Sequence, residues 1–302
     1  MLDLSVIILT YNEELHIRRA IDNVREIAKD IFIIDSFSTD KTLEIASEYP
    51  NVKILQHKWE NNHAKQLNWG LENAPVKTQW VLRLDADEYL TPELISELKE
   101  KLPYLGQDIT GISFKRRTMF MGKWMKRGIY PVILLRLFRY GKAVCEQRLM
   151  DEHIQLLQGK EILLDNDFVD DNLNNISWYC NKHINYAVRE AGDLLDIEYN
   201  LTGAAESDSK KHLTAQAIDK RAKKHKYAKQ PLFLRSFLYF LYRYIAKGAF
   251  LEGKEGFIFT FIQGWWYRTL VDMKVYELKK ESGNNPERMK QILQSKYNVA
   301  IK

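Results

Sequence analysis

The stretch Trp80-Val81-Leu82-Arg83-Leu84-Asp85-Ala86-Asp87-Glu88 decides the fold class. Its first five residues are apolar apart from Arg83, as a strand covered on both faces requires, and two carboxylates one residue apart follow at once. Residues 4–9, 31–34 and 52–55 repeat the short aliphatic, β-branched run. Between these runs, residues 13–28, 40–48 and 63–73 carry helical spacing, with Thr39 or Asp40 suited to cap the second helix. This alternation predicts an α/β fold, a mostly parallel sheet with helices on both faces. Ligands in such sheets bind beyond the carboxyl ends of the strands. Three polar groups stand there: Thr10-Tyr11-Asn12-Glu13, Asp35-Ser36-Phe37-Ser38 and Asp85-Ala86-Asp87-Glu88.

In an extended chain Asp85 and Asp87 project in a similar direction, and hard oxygens of this kind suit Mg²⁺ or Mn²⁺ bridged to a diphosphate. A metal there would neutralise a departing nucleoside diphosphate. The same tripeptide also reads as a turn before the helix start Thr91-Pro92-Glu93. A nucleotide needs a base partner and a ribose contact as well. Asp35 offers an acceptor for a base N–H, Thr10 to Glu13 offer groups for base or ribose, and Lys65 could reach a phosphate. Taken singly, Lys65 and His63 read as a solvated helix face.

The 302 residues carry a net charge of +5 and 45% apolar residues, enough for one large core or a core plus an appended region, and unlike a disordered or fibrous chain. Cys145 and Cys180 show no disulfide or metal spacing and read as ordinary thiols in a reducing compartment. The opening residues read as a first strand and not as a signal peptide, because Asp3 interrupts the apolar run and no basic leader precedes it. No run reaches the roughly 20 apolar residues of a spanning helix. The expected location is the cytoplasm, at the inner face of the cell membrane.

Residues 111–152 mix strand-like pieces, at 112–115 and 133–138, with glycines and basic residues, which predicts further mixed-sheet strands and an acceptor-facing loop. Arg116, Arg117, Lys123, Lys126, Arg127, Arg136 and Arg139 are candidates to clamp a diphosphate or an anionic acceptor. After Ile176 the chain turns helical. A lysine-rich stretch, from Lys210 to Lys229, precedes the aromatic run 231–244. On a helical wheel Arg235, Arg243 and Lys247 share a sector of about 120°, and the remaining circumference is aromatic or aliphatic. That is the pattern of a helix lying in a lipid interface, with the lysines drawn to anionic lipid. Packing on the catalytic domain, or on a second copy in a homo-oligomer, is the alternative. The basic stretch lies in no nucleic-acid-binding module.

The three strand-end motifs together resemble the family 2 glycosyltransferases with the GT-A fold, strongly over the first hundred residues and more loosely through Glu152. The branch that builds lipopolysaccharide core or other surface glycans is the most similar. The resemblance implies a GT-A mixed sheet over residues 1–175, with a nucleotide-binding half (1–105) and an acceptor-binding half (106–175); the basic and aromatic pattern described above marks residues 176–302 as a helical, membrane-associating region. It implies inverting transfer from a nucleotide-sugar donor, foremost a UDP-sugar, to a hydroxyl of a glycan or lipid-linked acceptor. Carried over by position, Thr10, Tyr11, Asn12, Glu13 and Asp35 form the nucleoside pocket, Asp85-Ala86-Asp87 the sugar-nucleotide and metal shell, with Asp87 the direct ligand. Glu152 is the first choice of base and Asp151 the second, in a cluster that also reads as an exposed acidic turn. Phe37 stands where the family often has glycine, and Asp35-Ser36 where it often has two acids, which leaves the base open.

Two rivals stay in view. A sugar-phosphate nucleotidyltransferase would carry a glycine-rich phosphate loop where this chain has Thr10-Tyr11-Asn12-Glu13. A non-catalytic membrane scaffold would have no need of the acidic pair.

Overall fold

The computed structural model describes residues 1–148, 150, 152–203 and 215–299. The first half alternates as the sequence predicts: β1 (Leu4–Thr10), α1 (Ile17–Val24), β2 (Asp30–Asp35), α2 (Thr42–Ser47), β3 (Val52–Gln56), α3 (His63–Asn73) and β4 (Trp80–Asp85). There follow β5 (Glu88–Leu90), α4 (Pro92–Lys101), β6 (Ile109–Phe120), β7 (Lys123–Trp124), β8 (Val132–Arg139), β9 (Ala143–Cys145), β10 (Ile154–Leu156) and β11 (Lys160–Asp170). The main sheet has the order β3-β2-β1-β4-β8-β6-β11-β5, with β7 hung on β6, and β9 and β10 form a separate hairpin ladder. β1 to β4 are parallel, whereas β8 runs antiparallel to both β4 and β6, so the fold is α/β with a mixed sheet flanked by helices.

Strand periodicity accounts for both buried faces. Val6, Ile8, Ile31 and Ile33 enter the core under α1 and α4, while Ile7, Phe32 and Ile34 enter the core under α3. Full burial of side chains of this size stabilises by about 1.5–3 kcal/mol each. Gly70 lets α3 lie close on β2, since a Cβ there would stand 2.8 Å from Ile34 Cγ1.

Two local expectations change. The first helix covers only Ile17–Val24, because the Glu13 N–H donates to Thr42 Oγ1 (2.7 Å) and the Glu14 N–H to Asp40 Oδ2 (3.0 Å), which pins residues 13 and 14 as a loop. β11 was not foreseen. Its sequence is largely polar, and a register shift between Leu163 and Asp167 breaks its alternation.

The remaining chain is helical: α5 (Ile176–Tyr199), α6 (Ala215–Ala228), α7 (Leu234–Leu241), α8 (Gly253–Thr260), α9 (Tyr267–Ser282) and α10 (Pro286–Tyr297). α7 runs on into a π-helical turn at Tyr242–Ala246, and a second one, Phe261–Trp266, joins α8 to α9. Ala187, Leu194, Val271, Leu278 and Leu293 form a core of their own, and Phe120 and Met125 meet Phe259 and Ile262 across the seam with the sheet. None of the described helices is long and apolar enough to cross a membrane.

Two of the three cations of the wheel turn inward, unlike an interfacial helix with its charged sector in water, while Lys247, just past the π-helical turn, is exposed. Arg235 and Arg243 are buried, at 2% and 4% exposure. Arg235 donates from Nε to Asp272 Oδ1 (2.8 Å) and from Nη1 to the Ala228 carbonyl (2.9 Å), and Arg243 Nε donates to the Gly128 carbonyl (3.1 Å). A wheel shows which residues share a face; the partners available, here Asp272 and a β-side carbonyl, decide which face turns inward.

Candidate active site

The carboxyl ends of β1 and β4 open on one cavity of about 1380 Å³, closed from the other side by α5, α6 and the α8–α9 joint. β4 ends at Asp85, β5 begins at Glu88, and β11 ends at Asp170, paired with Glu88 in the sheet, so Asp85, Asp87, Glu88, Asp170 and Asp171 all reach this space. β6 and β8 bring Arg116 and Arg136 into the same wall.

The acidic pair is built with different supports. Asp85 receives Arg136 Nη2 at 3.1 Å and Arg83 Nη2 at 3.4 Å. Its burial in the cavity floor would raise the carboxyl, and the two guanidinium groups overcome that and hold it well below the usual range. Its side chain keeps 35% exposure, toward the cavity. Beneath it, Glu88 accepts from the Asp85 N–H (3.0 Å) and from Arg136 Nη2 (2.5 Å). Burial, partly offset by Arg136 and reinforced by the Asp85 charge, pushes Glu88 up to about 8. Asp87 Oδ2 accepts from Asn172 Nδ2 (2.9 Å), while Arg19 donates to the Asp87 carbonyl (3.3 Å) and to Asp171 Oδ2 (2.7 Å). α1 thereby locks the loop after β4 to the loop after β11.

Glu13 enters from the end of β1. Burial raises its carboxyl, and His16 Nδ1 sits 2.6 Å from its Oε2. The Leu173 N–H donates to His16 Nε2 (2.9 Å), so that nitrogen is the acceptor and Nδ1–H the donor to Glu13. Across the cavity, Lys182 of α5 lies 4.8 Å from the Trp178 ring centroid. Burial would lower its ammonium pKa, but Tyr186, Asp87, Glu13 and Asp170 together raise it. Arg116 Nη1 is 3.3 Å from Asp170 Oδ2, while Arg116 Nε, Arg136 Nε and Thr118 Oγ1 are buried in this wall without a hydrogen-bond partner.

Glu152 lines the cavity, and its charge acts on His63 and Arg83. His63, read from sequence as solvated, faces the same space, and burial holds it below its ordinary value. The Glu152 loop is tied to the helices through Glu146, which accepts from the His153 N–H (3.0 Å) and pairs with Arg221 of α6. Burial would raise Glu146; hydrogen bonds from His153 and Arg221 lower it below its ordinary value. Arg148 of the same loop donates to Asp193 Oδ1 of α5 (2.9 Å). Asp151 lies outside the described residues.

Other expected site residues stand elsewhere. Asp35 is fully buried, and both its oxygens are engaged, by Thr10 Oγ1 (3.0 Å), the Ser38 N–H (2.9 Å) and Ser38 Oγ (2.5 Å), so it braces the 36–38 loop instead of offering an open acceptor. Such donors are what a buried carboxylate needs. Asn12 exchanges hydrogen bonds with Ser38 and Thr39, and Tyr11 is exposed beside it. Lys65 pairs with Glu60 at 2.5 Å in the first turn of α3 and is not among the residues lining the cavity. Ala86 packs in the core under the pair and also lines the cavity. Of the basic candidates, only Arg116 and Arg136 line it; Arg117 pairs with Asp167 and Arg139 stacks on Trp80. Burial pushes the Cys145 thiol up to about 12, which makes it an inert packing group.

The sequence profile described as Glycosyl transferase family 2 matches residues 5–163, more than half of the chain. The chain belongs to that family. An uncharacterised glycosyltransferase of Rickettsia bellii is 35% identical over 105 residues, covering 35% of this chain and 34% of the relative. Lipopolysaccharide core biosynthesis glycosyltransferase LpsC of Rhizobium meliloti is 30% identical, covering 47% of this chain and 53% of LpsC. The chain thus spans about a third to a half of the length of these curated relatives. Among solved structures, S. aureus TarS 1-349 is similar over 92% of both chains, with 16% identity and a TM-score of 0.42. The glycosyl transferase family 2 match contains Asp85, Asp87 and Glu152 but ends before Lys182, His183 and Gln263, which also line the cavity. Sequence reasoning missed these three, and His63; the one available signal was the polar, aromatic spacing of α5.

Proposed function

We propose that this chain transfers one sugar from a nucleotide-sugar donor, foremost a UDP-sugar, to a hydroxyl of a glycan or lipid-linked acceptor in cell-envelope glycan synthesis, with inversion. The observation that carries it is the convergence of Asp85, Asp87, Glu152 and the cations Arg116, Arg136 and Lys182 on one cavity.

Asp85 and Asp87 supply two hard carboxylates. Among the described residues no three His, Cys, Asp or Glu side chains are grouped to hold a metal unaided. Two carboxylates, with diphosphate oxygens and water completing the sphere, suit Mg²⁺ or Mn²⁺. When bound, that ion would supply charge neutralisation for the leaving diphosphate. Arg83 and Arg136 keep Asp85 ionised for this task, and Arg19 with Asn172 fixes Asp87. Lys182 and Arg116 are placed to receive phosphate charge, and the exposed rings of Tyr11 and Phe37 offer faces for the base. Glu152 accepts the acceptor hydroxyl proton as that oxygen bonds to the anomeric carbon and the bond from this carbon to the diphosphate oxygen breaks, the electron pair leaving with the nucleoside diphosphate.

The test is release of free nucleoside diphosphate from a panel of UDP- and GDP-sugars with Mg²⁺ or Mn²⁺ and a lipid-linked acceptor extract. Metal-dependent release that disappears in Asp87→Ala and Glu152→Gln supports the proposal and names the donor. Pyrophosphate release from a nucleoside triphosphate and a sugar phosphate would assign a nucleotidyltransferase instead, and absence of donor binding a scaffold.

A further inference from the structure

We infer that the outer face of α7, α8 and the turns that follow them is a docking surface for an anionic lipid bilayer; this stands independently of the sugar-transfer reading. The inward turn of Arg235 and Arg243 leaves the apolar side of this segment outside. Leu234, Leu238, Tyr242 and Ile245 are 51%, 49%, 51% and 60% exposed. Phe250, Leu251 and Phe257, at 49%, 58% and 45%, extend the same surface.

The rings on this side form one connected run. Phe237 touches Trp265 (ring centroids 5.2 Å), Trp265 touches Phe261 (5.8 Å), and Phe261 stacks on Phe257 (6.0 Å). From Phe257 the chain of rings runs to Tyr244 (5.7 Å) and on to Phe250 (6.3 Å). A water-facing side this rich in large apolar groups marks a contact surface. Turning two arginines inward to expose it costs their desolvation, which Asp272, fully buried beside Arg235, partly offsets.

Charge selects the occupant. Lys247 sits 5.6 Å from the Tyr242 ring centroid, and Lys254 edges the hollow between Tyr244, Phe250 and Phe257. The nearby acid, Glu255, is engaged by Lys123 at 3.5 Å. Aromatic rings with lysines at their rim match the headgroup boundary of an anionic membrane, where rings sink among acyl chains and ammonium groups stay with phosphate. A second copy of the chain would oppose this basic rim with its own. The surface is also the reverse of the cavity wall: Phe259 and Gln263 line the cavity, while Phe257, two residues before Phe259 and about 200° round the helix from it, is 45% exposed. Lys223 of α6, which lines the cavity, is paired with Asp219 at 2.5 Å.

The experiment is flotation of the full chain with vesicles of phosphatidylcholine alone and of phosphatidylcholine with phosphatidylglycerol, alongside sedimentation velocity without lipid. Wild type is expected to float with the anionic vesicles. Leu238→Ser with Ile245→Ser, both exposed positions, should weaken partitioning by roughly tenfold or more with the thermal melt unchanged. Lys247→Glu with Lys254→Glu should abolish the preference for anionic vesicles. A chain that stays in the aqueous phase with both vesicle types overturns the proposal, as does a dimer that Ile245→Ser dissociates with no vesicle binding, since the occupant is then a second copy. Flotation unchanged in all variants overturns it too.

Discussion

The strand-end cavity and the aromatic helix α7 are both places where charged and apolar residues alternate in the sequence, yet only the first keeps its charges on the open side. At the strand ends the sheet fixes direction: β4 stops at Asp85, and the next carboxylate must emerge at the same edge. On α7 the 3.6-residue period groups Arg235 with Arg243 but leaves the group's direction to packing, and Asp272 of α9 draws it inward. A carboxylate after a buried strand therefore identifies a site more securely than a charged stripe identifies a solvated face.

The sharpest break of this contrast comes from its two acids. Asp87→Ala should lower the rate of nucleoside diphosphate release roughly a thousandfold without changing the thermal melt, because Asp87 carries no core contact. Asp272→Ala should do the reverse, destabilising by about 3 kcal/mol or more in denaturant titration by leaving Arg235 buried and unpaired, whereas Arg235→Met with Asp272→Leu should recover much of that loss.

A smaller effect tests how the helices hold the proposed base. Glu146→Gln weakens the tie between Arg221 and the His153 loop. It is expected to lower kcat about tenfold while leaving donor KM within about twofold, and a charge-preserving Arg221→Lys should lose less. The pH dependence of stability isolates Glu88. Its folded value is raised above its ordinary 4.5 to about 8, so its favourable contribution is complete below about 4.5 and is lost as pH rises toward about 8. Wild type should thus lose more stability across that window than Glu88→Gln, read as denaturant midpoints at a series of pH values. Lys65→Ala sets the floor, with donor KM unchanged, since Lys65 pairs with Glu60 away from the cavity.

What was legible follows from locality. β1 to β4, α3 and the acidic pair are set by short periodic runs and their ends, and α3 begins at His63 because the Asn62 side chain accepts from the Lys65 N–H (2.9 Å). β11 and the role of α5 were illegible because their neighbours are remote in sequence: Asp170 pairs with Glu88 and Thr118 in the sheet, and Lys182 reaches Asp87 and Glu13 only after α5 folds across the strand ends. Asp35 shows a different limit. It stands at the end of β2, where the motif reading puts it, but the hydrogen bonds from Thr10 and Ser38 to its oxygens are announced by no spacing.

The most direct measurement is calorimetric titration of UDP with Mn²⁺ into wild type, Asp87→Ala and Glu152→Gln, paired with turnover of the matching UDP-sugar. A division of labour within one cavity predicts that Asp87→Ala loses metal-dependent binding, while Glu152→Gln binds like wild type and does not turn over. Full turnover by Glu152→Gln, or unchanged metal-dependent binding by Asp87→Ala, would contradict it.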